Sequence, residues 1–315
     1  MRKVIGIGET MLDIIFKNGK PIEAVPGGST FNAIVSLARA GVPATFFAET
    51  GNDRVGEHII QFLKDNHVDA SNVAVMQGNK SPVSLAFLND NNEADYIFYR
   101  DTPHSQLDFE YPDIQPDDIL LFGSYYAVNP AVRPQVSALL EHAKSHGAII
   151  YYDVNYRPSH RNDVMRITPN LIENLEYADM VRGSHEDFNV LYRTDSPEKT
   201  YNAEIAFYCK RFIYTDGPND TTVFSDGPWR KTYPTPHTDT VSTIGAGDNF
   251  NAGLLYGMIR AGITRTDIEQ GLSEQQWDEM VHWAQQFSAD CCKDIFNYVS
   301  VQFGQQLASS STKKS

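Results

Sequence analysis

The sequence predicts an α/β protein in which a largely parallel central sheet is flanked by helices and carries a small β lid. Short apolar or aromatic runs recur at 4–8, 42–47, 119–123, 148–152 and 211–214, separated by amphipathic stretches such as 132–146. Strands buried on both faces read as such continuous runs, and helices at 3.6-residue spacing cover them. Two segments, 10–25 and 82–100, instead interleave polar and apolar residues, the mark of strands with one face exposed. The length of 315 residues allows about two domains or one large α/β domain with insertions. No repeat and no long linker divides it, so residues 1–308 read as a single α/β domain.

Taken in order, VIGIG at 4–8 is a buried strand, and 10–25 is the first part of the accessory sheet. STFNAIVSLARAG at 29–41 is a helix with Ser29 or Thr30 near its N-cap and Gly41 after its last turn. PVSLAFLNDNNEADYIFYR at 82–100 reads as a hairpin turning at Asn89 to Asn92. Its place beside the C-terminal end of the first strand suits a lid, with an ordinary edge hairpin as the alternative. The polar, aperiodic tail at 309–315 is expected to fray.

Composition excludes several functions. Asp plus Glu (40) exceed Lys plus Arg (26), a net charge of −14 that argues against nucleic-acid or anionic-membrane surfaces. Cys209, Cys291 and Cys292 form no CxxC pair, so no disulfide framework or structural zinc site is expected and a reducing cytoplasm fits. Glu9 and Asp13 interrupt the N-terminal apolar run before it reaches a signal core. Nowhere do 18 apolar residues stand together, so no membrane span is expected.

The most informative stretch is DTVSTIGAGDNFNAGLLYGMIRAG at 239–262. Gly245, Ala246 and Gly247 form a loop of small residues that opens a helix, because Phe250, Leu254, Leu255, Met258 and Ile259 follow at helical spacing. Backbone N–H groups in such a loop, with the helix N-terminus behind them, suit a phosphate. Asp248 beside them is placed to take a proton from a hydroxyl attacking phosphorus, or else simply caps the helix. PGGSTFN at 26–32 offers close backbone approach at its glycines and a donor and acceptor at Asn32, half of a polyol pocket or an ordinary turn. Asp13 lies near the same sheet edge, where α/β proteins bind ligands, and taken alone reads as an ordinary surface charge. GNDRVGEH at 51–58 has Glu57 where a P-loop requires Lys, and GIGETM at 6–11 lacks the third glycine of a dinucleotide fingerprint.

PGGSTFN with Gly41 and Gly51 downstream, followed by STIGAGDNFNAG around residue 248, resembles the two signatures of the ribokinase-like carbohydrate kinases, the pfkB family. The likeness runs from VIGIGETMLDI through GNDRVGE, DVNYRP at 153–158 and YTDGPNDTTVFSDG at 214–227 to about residue 262. It implies a ribokinase-like fold with a β lid, ATP as cosubstrate, Mg²⁺ as cofactor, and phosphorylation of a sugar hydroxyl. By the family pattern Asp248 is the base, and the N–H groups of Gly245, Ala246 and Gly247 form the anion hole. Asp13, Gly28 and Asn32 hold the sugar, and Thr215 and Gly217 meet the nucleotide phosphates.

Two departures matter. Ser242 stands where the family commonly has an Asp that helps build a monovalent-cation site, which counts against K⁺ activation. The family's Asn-x-x-Glu motif, which organises water around Mg²⁺, reads Gly183-Ser184-His185-Glu186, so only Glu186 carries over. DYIFYRD and DVNYRP are similar to segments of fructokinases and 2-keto-3-deoxygluconate kinases that bring arginines to the sugar, which nominates Arg100 and Arg157. A sugar acid would give a guanidinium a carboxylate to bind, whereas fructose offers hydroxyls. The expectation is therefore an ATP-dependent sugar kinase, with fructose preferred and, as alternatives, a sugar acid such as 2-keto-3-deoxygluconate or another sugar or nucleoside acceptor of the pfkB type. A catalytically weakened sugar- or nucleotide-binding protein and a nicotinamide-dependent reductase are the competing readings. The partners expected are a small sugar and ATP, and the lid edge offers a route to a homodimer.

Overall fold

The computed structural model describes residues 2–311 except 91, 93 and 101–110. Among them, the apolar runs too short for helices become strands: β1 (Val4–Ile7), β2 (Met11–Lys17), β3 (Lys20–Gly27), β4 (Ala44–Gly51), β5 (Val73–Met76), β6 (Val83–Leu88), β7 (Ala94–Tyr99), β8 (Ile119–Gly123), β9 (Ile149–Asp153), β10 (Met180–Ser184), β11 (Phe212–Thr215), β12 (Asp220–Ser225) and β13 (Trp229–Pro234). The large sheet has the order β13-β12-β11-β10-β9-β8-β1-β4-β5, parallel from β11 to β5, with β12 and β13 antiparallel at one edge.

Both faces of this sheet are covered. Successive residues of β1 and β8 enter opposite cores: Val4, Ile119 and Leu121 join Phe31, Leu254, Trp277 and Phe287 on one side. Ile5, Leu120 and Phe122 join Leu139, Leu140 and Leu171 on the other. A side-chain period of two with both faces buried is what makes ILLFG uniformly apolar. The first core is built with helices Ser29–Arg39, Ala246–Arg260 and Glu274–Cys291, the second with Arg133–Ser145 and Val164–Tyr177.

The two alternating segments form one four-stranded lid, β3-β2-β6-β7. The hairpin β6–β7 is antiparallel, but β2 and β6 pair in parallel, which only the long crossover through the main domain permits. Asn92 N–H donates to the Asn89 carbonyl at 3.0 Å across the expected turn.

Three local expectations change. The first helix is capped by Gly28 (φ 131°) and not by Ser29 or Thr30, because the Ser29 hydroxyl is engaged elsewhere. The Gly28 backbone is needed there, since a Cβ would stand 2.3 Å from the Glu9 carbonyl oxygen. The strand expected at 42–47 begins at Ala44 and runs to Gly51. The tail is helical through its first residues, as Val301–Ser311 forms a helix, and 312–315 lie outside the described residues.

Candidate active site

β1 has β4 on one side and β8 on the other, so the chain leaves it toward opposite halves of the sheet. Ligands of α/β sheets bind beyond the strand ends at such a switch point. There a pocket opens between the lid and the main domain, and Asp13, Gly28, Asn32, Arg100, Arg157, Gly245 and Asp248 all border it. A second cleft adjoins it, sharing Arg157, Gly245 and Asp248 and adding Arg182, Glu186 and Gly247. Asp248 therefore stands where the two meet.

Asp248 is the third residue of helix Ala246–Arg260, whose N-cap is Gly245 (φ 73°). It is not the cap. Ser29 Oγ donates to one carboxylate oxygen at 2.8 Å and Asn32 Nδ2 to the other at 2.8 Å. Both donors come from the first turn of the helix that follows the lid, so PGGSTFN and GAGD lock together around one carboxylate. Burial pushes the Asp248 carboxyl above the usual aspartate range, while these two bonds, Arg157 and Arg182 pull it back.

Asp13, on β2, accepts from Asn297 Nδ2 at 2.9 Å and from the Ser84 hydroxyl of β6. Burial raises it to about 6 against those bonds. Tyr96 and Phe98 of β7 face the same space, stacked with centroids 5.7 Å apart. Arg100 is ion-paired with Glu9 at 2.7 Å. Arg157 lies with its guanidinium 5.2 Å from the Tyr96 ring centre and makes no ion pair among the described residues.

In the glycine loop, the Ala246 N–H turns back to the Thr243 carbonyl at 3.2 Å. The N–H groups of Gly247 and Asp248, second and third in the helix, are the ones without an intrahelical acceptor. Thr215, buried at the end of β11, accepts from Arg182 Nη2 at 2.7 Å. Gly217 (φ 52°) has open space where a Cβ would project. Glu186 is exposed on the first turn of helix His185–Tyr192 and borders the second cleft.

Gly183, Ser184 and Ser242 are each engaged locally. A Cβ on Gly183 would stand 2.5 Å from the Phe188 ring, so an Asn does not fit there without moving that ring. One residue on, Ser184 and Asp187 close a capping box, and the same aspartate accepts from Tyr156 N–H at 2.7 Å. The Ser242 hydroxyl accepts from Ile244 N–H at 3.2 Å and shapes the loop. Sequence reasoning missed Ser29, Ser84, Tyr96, Arg182 and Asn297 as site residues. Of these, Arg182 alone carried a signal, a charge directly after the apolar pair Met180 and Val181.

Among the described residues no group of three His, Cys, Asp or Glu side chains is placed to hold a metal ion. A Mg²⁺ that arrives with nucleotide needs no such cage, because it keeps several waters and one or two carboxylates beside the phosphates. The exposed Glu186 fits that role. No helix among the described residues is long and apolar enough to cross a membrane.

Residues 1–291 match the family model described as pfkB family carbohydrate kinase. The chain is similar to the 5-dehydro-2-deoxygluconokinase of Geobacillus thermodenitrificans, 28% identical over 259 residues, covering 78% of this chain and 75% of that protein. It is also similar to the probable fructokinase-6, chloroplastic, of Arabidopsis thaliana, 24% identical over 303 residues, covering 91% and 76%. In fold it is similar to aminoimidazole riboside kinase from Salmonella enterica, solved with aminoimidazole riboside and an ATP analog, with a TM-score of 0.83 at 21% identity over 98% of this chain and 99% of the other. Fructokinase from Vibrio cholerae, solved with fructose, ADP and calcium, gives 0.82 at 22% identity over 96% of each chain.

Proposed function

Because the chain belongs to the pfkB family of carbohydrate kinases and is a phosphotransferase, we propose that it moves the γ-phosphoryl group of ATP to a hydroxyl of a neutral sugar, with fructose preferred. The observation that carries this reading is Asp248, held by Ser29 and Asn32 at the junction of two clefts beside the N-terminus of its own helix. A hydroxyl in the lid-side pocket can hand its proton to the Asp248 carboxylate as its oxygen bonds to phosphorus. The bond from phosphorus to the β–γ bridging oxygen breaks, and that electron pair leaves on ADP.

Asp13, with Gly28 and Asn32, orients the sugar, and the lid rings Tyr96 and Phe98 cover it and exclude water. The free N–H groups of the GAGD loop face the phosphoryl oxygens, and Thr215 and Gly217 border the path of the nucleotide chain. Mg²⁺ bound with ATP would neutralise phosphate charge, with Glu186 ordering its water shell. Ser242 offers a hydroxyl already used within the loop, which supports turnover without K⁺. Three buried free thiols fit a reducing cytoplasm. The outer lid face, with Ile22, Ile97 and Tyr99 exposed, is the surface for a homodimer.

The neutral-sugar preference rests on the Glu9–Arg100 pair. Glu9 already satisfies the lid arginine and presents its own negative charge to the pocket. A sugar acid is the second reading, favoured by Arg157, which makes no ion pair among the described residues, and by the relatives named 5-dehydro-2-deoxygluconokinase. A coupled ADP-release assay across fructose, ribose, 2-keto-3-deoxygluconate and 5-dehydro-2-deoxygluconate, each with and without K⁺, tests it. Highest kcat/KM on fructose without a K⁺ requirement supports the proposal. Highest kcat/KM on either acid replaces it with the second reading.

A further inference from the structure

We propose that Arg182 is a catalytic residue of this reaction, its guanidinium receiving the γ-phosphate of ATP beside Gly247. The inference rests on the ATP-dependent reading above and adds a group that neither the sequence motifs nor the fold assigns. Arg182 sits inside β10, only 7% exposed, where an arginine must be held by partners. Its holders come from the neighbouring strands: Nη1 lies 3.1 Å from Asp153 Oδ1 on β9, and Nη2 donates to Thr215 Oγ1 on β11 at 2.7 Å.

What this arrangement leaves unused is informative. Arg182 Nε and Asp153 Oδ2 are buried without a hydrogen-bond partner among the described residues. Buried arginine–carboxylate pairs frequently close two parallel bonds that use both carboxylate oxygens. Here a single oxygen is engaged, and the guanidinium lies where a Cβ on Gly247 would meet both Nη atoms at 3.1 Å. The glycine keeps that contact open. The same guanidinium borders the cleft that contains Asp248, so the cation, the helix N-terminus and the base share one wall.

Phosphoryl transfer spreads negative charge over three phosphoryl oxygens while bond making and breaking proceed in line. A fixed, planar, permanently charged donor aimed at those oxygens costs no reorganisation during the reaction. Asp153 and Thr215 are positioning residues that set its aim.

The test is the affinity of the full chain for MgATP and MgADP, measured by titration calorimetry on the wild type, Arg182→Met and Arg182→Lys. The proposal expects Arg182→Met to lose MgATP affinity by about tenfold or more, as befits one charge-assisted contact, with MgADP affinity unchanged. Arg182→Lys, which keeps the charge and loses the planar fork, is to show a smaller loss of the same kind. Equal losses for both nucleotides, or no loss for either, overturn it as a merely structural pair. If Arg182→Met does not fold, the lysine variant decides by the same criterion. A wild type that binds no nucleotide overturns the proposal, whereas an ATP-selective loss in a protein that phosphorylates no sugar leaves Arg182 in place and removes the sugar-kinase reading.

Discussion

Asp248 and Asp13 are both buried carboxyls, but their bonds prepare them for different work. Asp248 takes one donor on each oxygen from a single rigid helix turn, which fixes its plane while leaving lone pairs for a proton. With Asp248 as the proposed base, activity is expected to rise with pH through a midpoint above that of an exposed aspartate, because only an ionised carboxylate accepts a proton. Asp13 is raised from 3.8 to about 6, chiefly by burial, so between those values the folded chain binds a proton that the unfolded chain releases. Its contribution to stability therefore falls as pH rises through that window. Asp13→Asn is expected to gain Tm relative to wild type as pH goes from 4 to 7, and a pH-independent Tm difference would contradict this. Glu9→Gln frees Arg100 in the same pocket. Its kcat/KM ratio for 2-keto-3-deoxygluconate over fructose is expected to rise about tenfold, the worth of one charge-assisted bond. An unchanged ratio would show that the pair does not select against acids.

At the scale of elements, the two glycine loops do the positioning. Gly245 combines φ 73° with a Cβ position 2.7 Å from the Asn297 carbonyl oxygen, so Gly245→Ala strains the backbone and pushes the C-terminal segment off the loop. A loss of about 2 kcal/mol or more in urea unfolding is expected, together with lost turnover. A variant as stable as wild type would mean that the loop and the Asn297 segment yield without cost. These loops were legible in the sequence because small residues followed by helical spacing have few other meanings. What they hold was less so. Ser29 reads as a helix cap, yet its hydroxyl serves Asp248, 219 positions away. Asn297 and Ser84 meet Asp13 only through tertiary packing, for which the sequence carries no period or spacing. Strand β10 escaped the apolar-run reading because Arg182 and Gly183 interrupt it, and the arginine is tolerated there by partners on two other strands.

For the whole molecule, the main domain supplies Arg182 and Thr215 from its sheet and Asp248 from a helix packed on it, and the lid side supplies Asp13, Tyr96 and Arg100. The alternation of buried runs predicted the first, and the two-residue alternation predicted the second. The parallel β2–β6 pair ties the lid's two separated segments into one sheet on a single side of the pocket. In the proposed reaction this enclosure delivers a hydroxyl to Asp248. The most direct measurement is turnover and sugar binding of Asp248→Asn on the best substrate, with MgATP saturating. The kcat is expected to fall at least about a hundredfold, the worth of a general base, with sugar Kd within a few fold of wild type. Near wild-type turnover would contradict it.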